Sequence, residues 1–314
     1  MINKLFNSIC FSARSAKPKI LLLVDKPNWA FDISARNIAY LLREKYDFEI
    51  KYVWQKPKLN AKKYDILYVF FWGETYHHQF NFPPKKTIKG VSSFRWQDPG
   101  LYGPITAEEL VEKHLSDASA IASTSIQMQK LLTPFHPNVW HTPNGFDKNK
   151  FFQNRAKKTN SQLIAGWAGN IDDPIKGVND ILIPSCEGLI TLNLAPGNVA
   201  HEEMNLFYNK IDLFFVSSQH EGEPLTLIEA MATGCFPVCT DVGIVSELIT
   251  HERNGLIISR DEVSFKNAIK WCISHPKLIH DMKSYNSNIM IKQRQWPSVI
   301  EHFDTLFQHT LNRV

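Results

Sequence analysis

The sequence predicts an α/β protein with two domains, each built around a doubly wound parallel sheet. Apolar runs typical of buried strands alternate with segments of helical periodicity along most of the chain. The length of 314 residues is about twice that of a common domain. Near the middle of the chain, the turn signal Pro143-Asn144-Gly145-Phe146-Asp147 precedes a polar segment over 148–161. These observations predict a first domain over 1–147 and a second over 148–297.

The first half opens with a strand and a helix. Residues 19–25, K-I-L-L-L-V-D, form a continuous apolar run that ends at a polar residue, which is typical of a strand buried on both faces. Apolar residues then recur at helical spacing over 35–46. Further elements of the same domain are predicted as strands over 65–72, 87–94 and 118–123 and a helix over 125–132.

The second half repeats this alternation. Strands are predicted over 163–169, 190–194 and 211–218, with a short helix around His201–Lys210. Little else is expected between Gly177 and Asp212. Pro224 and Gly234 favour the start and the stop of another helix, and an amphipathic helix over 298–314 ends the chain.

Composition excludes several classes of protein. The hydrophobic and charged fractions, 44% and 21%, are those of an ordinary globular protein, and no apolar stretch approaches the roughly 18–20 residues that span a bilayer. The net charge of +4 suits anionic substrates or an anionic membrane surface and is too small to indicate nucleic acid. The five cysteines form no metal-like cluster and are predicted to be reduced core residues of a cytoplasmic protein.

The first twenty residues leave two alternatives open. Ile2, Leu5, Phe6 and Ile9 fall on one face of a helix, which would suit a short helix lying in a membrane interface. A helix docked on its own domain, or a disordered tail, fits the same residues. The segment lacks the apolar core and small-residue cleavage site of a signal peptide.

The most informative run is E-G-E-P-L-T-L-I-E-A-M-A-T-G over 221–234. Its two carboxylates, Glu221 and Glu229, have seven residues between them across a predicted loop-to-helix junction. The helix is otherwise apolar, so the carboxylate of Glu229 needs a partner. Burying a carboxylate without one costs on the order of several kcal/mol. A ribose diol would supply hydroxyl donors to Glu229, and the free N–H groups of the first helical turn suit a diphosphate. The run therefore predicts a nucleotide-sugar pocket.

This run resembles the E-x7-E signature of the retaining family-4 glycosyltransferases. The flanking segments over 211–218, 243–249 and 254–256 are similar to that family as well, and 144–147 resembles its interdomain element. The resemblance implies the GT-B fold, in which two Rossmann-like domains face a central cleft and the final helix crosses back to the first domain.

The resemblance also implies a phosphate site between Gly169 and Gly177. This segment is similar to the family's G-R-x5-K-G element, in which an arginine and a lysine neutralise the diphosphate of the donor. Lys176 occupies the lysine position, whereas Asn170 occupies the arginine position and cannot offset charge. Arg95 of the first domain is a candidate for the missing cation.

Further roles follow from the same resemblance. Glu229 is expected to bind the ribose hydroxyls, and Glu221 is expected near the transferred sugar. Gly169, Gly222 and the backbone of Leu225 and Thr226 are expected to face the donor. Transfer would proceed with retention through an oxocarbenium-like transition state, without a metal ion or other cofactor.

The first domain is less informative. Where the family often has glycines after the first strand, this chain has K-P-N-W-A-F-D over 26–32, and Trp29 is predicted either to stack on a sugar or to wedge the loop. Phe94, Arg95 and Trp96 stand where many relatives carry a histidine near the sugar. His77 and His78 are predicted to be solvated loop residues.

The resulting expectation is a retaining hexosyltransferase of polysaccharide biosynthesis. It would move a sugar from a UDP- or GDP-sugar to a glycan or glycolipid acceptor, in the cytoplasm, with contact to the inner face of the membrane as an open alternative. A catalytically weak nucleotide-sugar-binding protein is a second hypothesis, motivated by Asn170 and the missing glycines. A nucleotide-sugar epimerase or hydrolase is a third, but the sequence offers it no acid–base pair in the first domain.

Overall fold

The computed structural model describes residues 17–99, 103–154, 162–197 and 199–313. The helix considered for the first residues, with Cys10, lies outside this range. The strands are β1 (Lys19–Val24), β2 (Asp47–Tyr52), β3 (Ile66–Val69), β4 (Thr87–Val91), β5 (Ala120–Ser123), β6 (Val139–His141), β7 (Ile164–Gly169), β8 (Thr191–Pro196), β9 (Leu213–Val216), β10 (Phe236–Thr240) and β11 (Leu256–Ile258). The helices are α1 (Ala30–Leu42), α2 (Ala107–Leu110), α3 (Ile126–Leu132), α4 (Ile183–Cys186), α5 (Met204–Tyr208), α6 (Leu225–Ala232), α7 (Val245–Leu248), α8 (Glu262–Ser274), α9 (Pro276–Arg294) and α10 (Trp296–Leu311).

The strands form two parallel sheets, which confirms the predicted fold class. The first sheet has the order β2-β1-β3-β4-β5-β6, and the second has the order β11-β10-β9-β7-β8. Every strand pair is parallel. The continuous apolar run predicted for the first strand is β1, whose residues from Ile20 to Val24 are buried. A parallel sheet buried on both faces needs such runs.

Several predicted elements differ from the structure. Helix α1 begins at Ala30, five residues before the predicted start. Strands β2 and β6 were not predicted, and the stretch expected to be nearly empty contains a helical segment over 178–186 between β7 and β8. Four of the cysteines (Cys186, Cys235, Cys239 and Cys272) are free and buried, as predicted.

The final helix packs on the first domain, as the resemblance implied. Val299, Phe303 and Phe307 of α10 join Ile20 and Ile38 in one apolar cluster. Tyr46 also donates a 2.7 Å hydrogen bond to the fully buried Asp304 of α10. Among the described helices, none combines the length and apolar character that crossing a bilayer requires.

Candidate functional site

A cavity of ≈ 270 Å³ lies at the carboxyl ends of β7 and β9. The chain leaves β7 for β8 on one side and returns to β9 on the other, so this is the point where the strand order reverses. Open α/β sheets bind ligands at such a point. Six of the residues predicted for the site line the cavity, with Ala30 of the first domain opposite them: Gly169, Asn170, Lys176, Glu221, Leu225 and Thr226.

Lys176 and Glu221 form an ion pair at the edge of this cavity. The Lys176 Nζ donates to Glu221 Oε1, and the Ser218 hydroxyl donates to the same oxygen at 2.7 Å. The two side chains of the pair are 21% and 15% exposed, so water reaches both. Gly177, at φ +63°, ends the short helical turn that carries the lysine. The sequence predicted both residues for the site but did not predict that they pair.

The first turn of α6 faces the same space. Its amides at Leu225 and Thr226 belong to the turn that has no carbonyl partners within the helix, so they are oriented to bind an anion. Gly222 does not line the cavity and lies against the first domain. A Cβ on Gly222 would lie 1.9 Å from the Ser92 oxygen of the first domain, so only glycine allows this approach of the two domains.

A ligand was expected to supply the partner of the Glu229 carboxylate, but the structure shows protein partners. The Glu229 side chain is 11% exposed and contacts two protein groups. His201 Nε2 lies 3.0 Å from Oε1, and the Tyr208 hydroxyl donates to Oε2 at 2.9 Å. The hydrogen bond to Glu229 raises the pKa of His201. Both partners come from the segment before β9, which carries no motif, so the sequence did not reveal them.

Arg95 reaches the loop of the predicted phosphate site but does not line the cavity. It forms an ion pair with Asp173, which lies between Asn170 and Lys176 in sequence, so the pair connects the two domains. The Arg95 side chain is half exposed. Asn170 lines the cavity, while its Oδ1 accepts from the Asp172 amide at 3.2 Å.

A cluster of hydrogen-bonded side chains at the interdomain turn, here called the hinge cluster and not predicted from the sequence, lies beside the site. It consists of Glu223, Arg294, Glu247 and Asn144. Arg294 donates to Glu223 and to Glu247, both at 2.9 Å. The amide and side-chain nitrogens of Asn144 donate to Glu223 at 2.7 and 2.8 Å.

Burial raises the pKa of Glu223, while the Arg294 guanidinium and the donors of Asn144 oppose that rise and favour the charged carboxylate. The cluster joins the interdomain turn to the end of α9 and to the loop that carries Glu221.

The prediction for the adjacent histidines was half right. His78 is exposed, but His77 is only 2% exposed. Burial lowers the pKa of His77. Both lie near Asp117, whose Oδ1 also accepts from the buried Lys89 at 2.6 Å. Lys89 therefore already supplies to Asp117 the positive charge that a metal ion held by His77, His78 and Asp117 would bring.

Comparison with solved structures defines the fold as GT-B. The sucrose-phosphate synthase of Thermosynechococcus elongatus superposes with a TM-score of 0.75 at 13% identity, covering 95% of this chain and 100% of that one. HepE of Anabaena, solved in complex with UDP and glucose, gives a TM-score of 0.66 at 14% identity over 93% of this chain and 99% of its own. A glycosyltransferase of Rickettsia africae gives 0.69 at 11% identity over 95% and 100%.

Sequence comparison finds a more local similarity. The Glycosyl transferases group 1 family profile matches residues 194–288, which include Glu221 and Glu229. The lipopolysaccharide core biosynthesis mannosyltransferase LpsB of Rhizobium meliloti is 46% identical over 65 residues, 20% of this chain and 18% of its own. The GDP-mannose:cellobiosyl-diphosphopolyprenol alpha-mannosyltransferase of Xanthomonas oryzae is 21% identical over 115 residues, 36% of this chain and 30% of its own. The aligned segments thus span under a third of both relatives.

Proposed function

We propose that this protein is a metal-independent, retaining glycosyltransferase that moves a hexosyl group from a nucleotide diphosphate sugar to a glycan or glycolipid. One observation carries the proposal. The Lys176–Glu221 pair and the first turn of α6 face a single cavity at the switch point of the second sheet. That combination supplies a cation and backbone donors for a diphosphate and a carboxylate for the sugar.

The ion pair suggests how the donor enters. A bound diphosphate would replace Glu221 as the partner of Lys176, because both are anions and the pair is open to water. Glu221 would then face the sugar at its anomeric centre. Lys176 and the α6 amides would stabilise the negative charge that develops on the leaving diphosphate, which is the main source of rate enhancement in such a site.

Arg95 is the proposed second cation. Asn170 leaves one positive charge fewer than the family pattern, and Arg95 already contacts the same loop through Asp173. A shift of its guanidinium from Asp173 to the donor phosphate would restore that charge from the first domain. We assign Arg95 to leaving-group stabilisation on this basis.

Glu229 remains the proposed ribose ligand. Each of its oxygens accepts one contact, from His201 or Tyr208, and a carboxylate oxygen can accept two. Glu229 does not line the ≈ 270 Å³ cavity, and one acceptor position per oxygen is left for ribose hydroxyls. His201 is one-third exposed, so this edge of the carboxylate is near solvent.

Two alternatives, uracil and guanine, are proposed for the nucleotide base of the donor. The Anabaena structure contains UDP, and the name of one curated relative contains GDP-mannose. Both curated relatives are named as mannosyltransferases, which makes GDP-mannose the first donor to test. The proposed place of action is the cytoplasm, with the acceptor in solution or at the inner face of the membrane.

A second candidate function is nucleotide-sugar binding with little catalysis. It is favoured by Asn170 and by the observation that both candidate cations, Lys176 and Arg95, are paired with carboxylates. Such a protein would bind the donor without releasing a transferred sugar.

The test is a thermal-shift screen against UDP-, GDP- and ADP-sugars in EDTA, followed by NMR of the product's anomeric carbon. We expect one donor to stabilise the protein and its sugar to be transferred with retention. Lys176→Ala should weaken nucleotide binding roughly ten- to a hundredfold, because it removes a charged hydrogen bond worth about 1.5–3 kcal/mol. Lys210→Ala, at an exposed lysine of the same domain, is the control.

The possible outcomes separate the two candidates. Donor binding without transfer to any acceptor tested would support the binding protein. An inverted product would refute retention. Normal binding by Lys176→Ala would place the phosphate site elsewhere.

A further inference from the structure

We propose that His220 is a further catalytic residue, which takes the proton of the acceptor hydroxyl while Asp98 of the first domain holds its ring. The inference rests on the proposed function, since it concerns the transfer step at the same site. His220 immediately precedes Glu221, the carboxylate assigned to the transferred sugar. Both residues line a cavity of ≈ 490 Å³ between the domains, a volume within the range of about 300–1,000 Å³ that is typical of ligand pockets.

The first argument is the contact that orients the His220 ring. Its Nε2 lies 3.0 Å from Oδ1 of Asp98, and the two side chains are 21% and 16% exposed. A carboxylate oxygen only accepts hydrogen bonds, so Nε2 is the nitrogen that carries the proton. In the neutral ring, Nδ1 then has the free lone pair and can take up a proton. The contact with Asp98 therefore fixes the tautomer that a general base needs.

The second argument is the state of the Asp98 carboxylate. Its Oδ2 is buried and has no hydrogen-bond partner among the described residues, while its Oδ1 contacts His220. The negative charge of Asp98 is therefore compensated mainly by this ring. When the ring takes up a second proton, the positive charge arises beside the carboxylate and is stabilised by it, as in other pairs in which a carboxylate orients a catalytic histidine.

The third argument is the space beside the ring. Within the part of the chain that the structure describes, Nδ1 of His220 has no hydrogen-bond partner. The ring lines the interdomain cavity together with Phe94 and Gln97 of the first domain and Gly243 of the second. An acceptor that enters between the domains therefore meets a histidine with an available nitrogen next to the Glu221 carboxylate.

Glu221 is less suited than His220 to take the proton. Its Oε1 already accepts from the Lys176 ammonium group and from the Ser218 hydroxyl. In the proposed function, the Glu221 carboxylate also keeps its charge to face the anomeric centre of the sugar. The two neighbouring side chains therefore divide the work, with Glu221 beside the sugar and His220 beside the acceptor.

In the transfer step, the acceptor oxygen bonds to the anomeric carbon and its proton passes to Nδ1 of His220. The bond between that carbon and the donor phosphate breaks, and its electron pair leaves with the diphosphate, whose charge Lys176 and the α6 amides stabilise. His220 ends the step as a cation beside Asp98. It returns the proton to water after the product has left, which restores the neutral ring.

The experiment measures release of nucleotide from GDP-mannose and UDP-glucose with water as the acceptor, since water must also lose a proton. Binding of GDP and UDP is measured by calorimetry on the same preparations. His220→Gln keeps a hydrogen-bond donor for Asp98, but its amide is not a base. We expect its turnover to fall about a hundredfold or more, as for the loss of a general base, with unchanged nucleotide affinity. His280→Gln, at an exposed histidine of the same domain, is the matched control.

A double-mutant cycle tests the role of Asp98. Asp98→Ala should lower turnover in the wild-type background and have little further effect in His220→Gln, because it acts through the ring. Additive losses would overturn that coupling. Full turnover by His220→Gln, or a loss of nucleotide affinity equal to its loss of turnover, would refute the base assignment alone. Donor binding by the wild type without any release of nucleotide would refute the proposed transferase and this assignment with it.

Discussion

Glu221 and Glu223 lie two residues apart on one loop, yet their ion pairs differ in exposure to water. The Glu223–Arg294 side chains are 1% and 6% exposed, and both Glu223 oxygens and both terminal nitrogens of Arg294 have hydrogen-bond partners within the hinge cluster. The Glu221 and Lys176 side chains are 15% and 21% exposed and border a cavity. A desolvated pair cannot exchange partners at low cost, whereas a hydrated pair can. The buried Glu223–Arg294 pair therefore holds the loop in place, whereas the hydrated Lys176–Glu221 pair can separate when a ligand binds.

The largest expected effect is on the buried pair. Arg294→Ala leaves the Glu223 and Glu247 carboxylates without their cation, and removing one partner of a buried pair costs about 3–5 kcal/mol. Urea unfolding should show this loss in the free energy of unfolding. Lys176→Ala, the corresponding change in the hydrated pair, should cost about 1 kcal/mol or less. Equal losses in the two variants would remove the distinction drawn between the pairs.

The next effect concerns turnover. Glu221→Gln keeps the shape of the side chain and removes its charge. The side chain at position 221 then competes less strongly with the diphosphate for Lys176. Affinity for UDP or GDP should therefore stay the same or rise, while turnover falls roughly tenfold or more, because only interactions strengthened in the transition state raise the rate. Calorimetry and steady-state kinetics on the same preparation check both quantities. Parallel loss of affinity and turnover would contradict the assignment of Glu221 to the sugar.

The smallest effect tests the missing arginine. Asn170→Arg places a cation on the wall of the donor cavity and should tighten nucleotide diphosphate binding by about fivefold, or 1 kcal/mol, as expected for a partly solvated pair. The gain should shrink as salt is added, because ions screen exposed charges. Asn170→Gln, which adds length without charge, is the matched control. A gain that persists at high salt would show that contact and not charge is responsible.

The parts of this fold that the sequence predicts are those with a local signal. Strand β1 is a continuous apolar run, and α6 lies between Pro224 and Gly234, so hydrophobicity and turn chemistry were enough for both. Strand β2, D-F-E-I-K-Y, lies at a sheet edge and carries charged residues, so it lacked the apolar run expected of a parallel strand. Strand β6 has only three residues.

The site shows the same limit. Lys176, Glu221 and the α6 turn were predicted because each lies within a local motif, over 169–177 or over 221–234. The partners of Glu229 and Glu223 were missed because they come from distant segments: Tyr208 from α5 and Arg294 from the end of α9. Contacts of that kind arise from tertiary packing, which leaves no pattern within a single window of sequence.

Helix α10 has a consequence for biosynthesis. Its side chains Val299, Phe303 and Phe307 complete the apolar cluster around Ile20 and Ile38, so the first domain contains material from both ends of the described chain. On the ribosome, the early part of that domain emerges long before α10 does. Its apolar surface must therefore stay exposed until the second domain has been translated. A fragment ending at residue 147 would carry the same exposed surface permanently and should aggregate instead of folding as an independent unit.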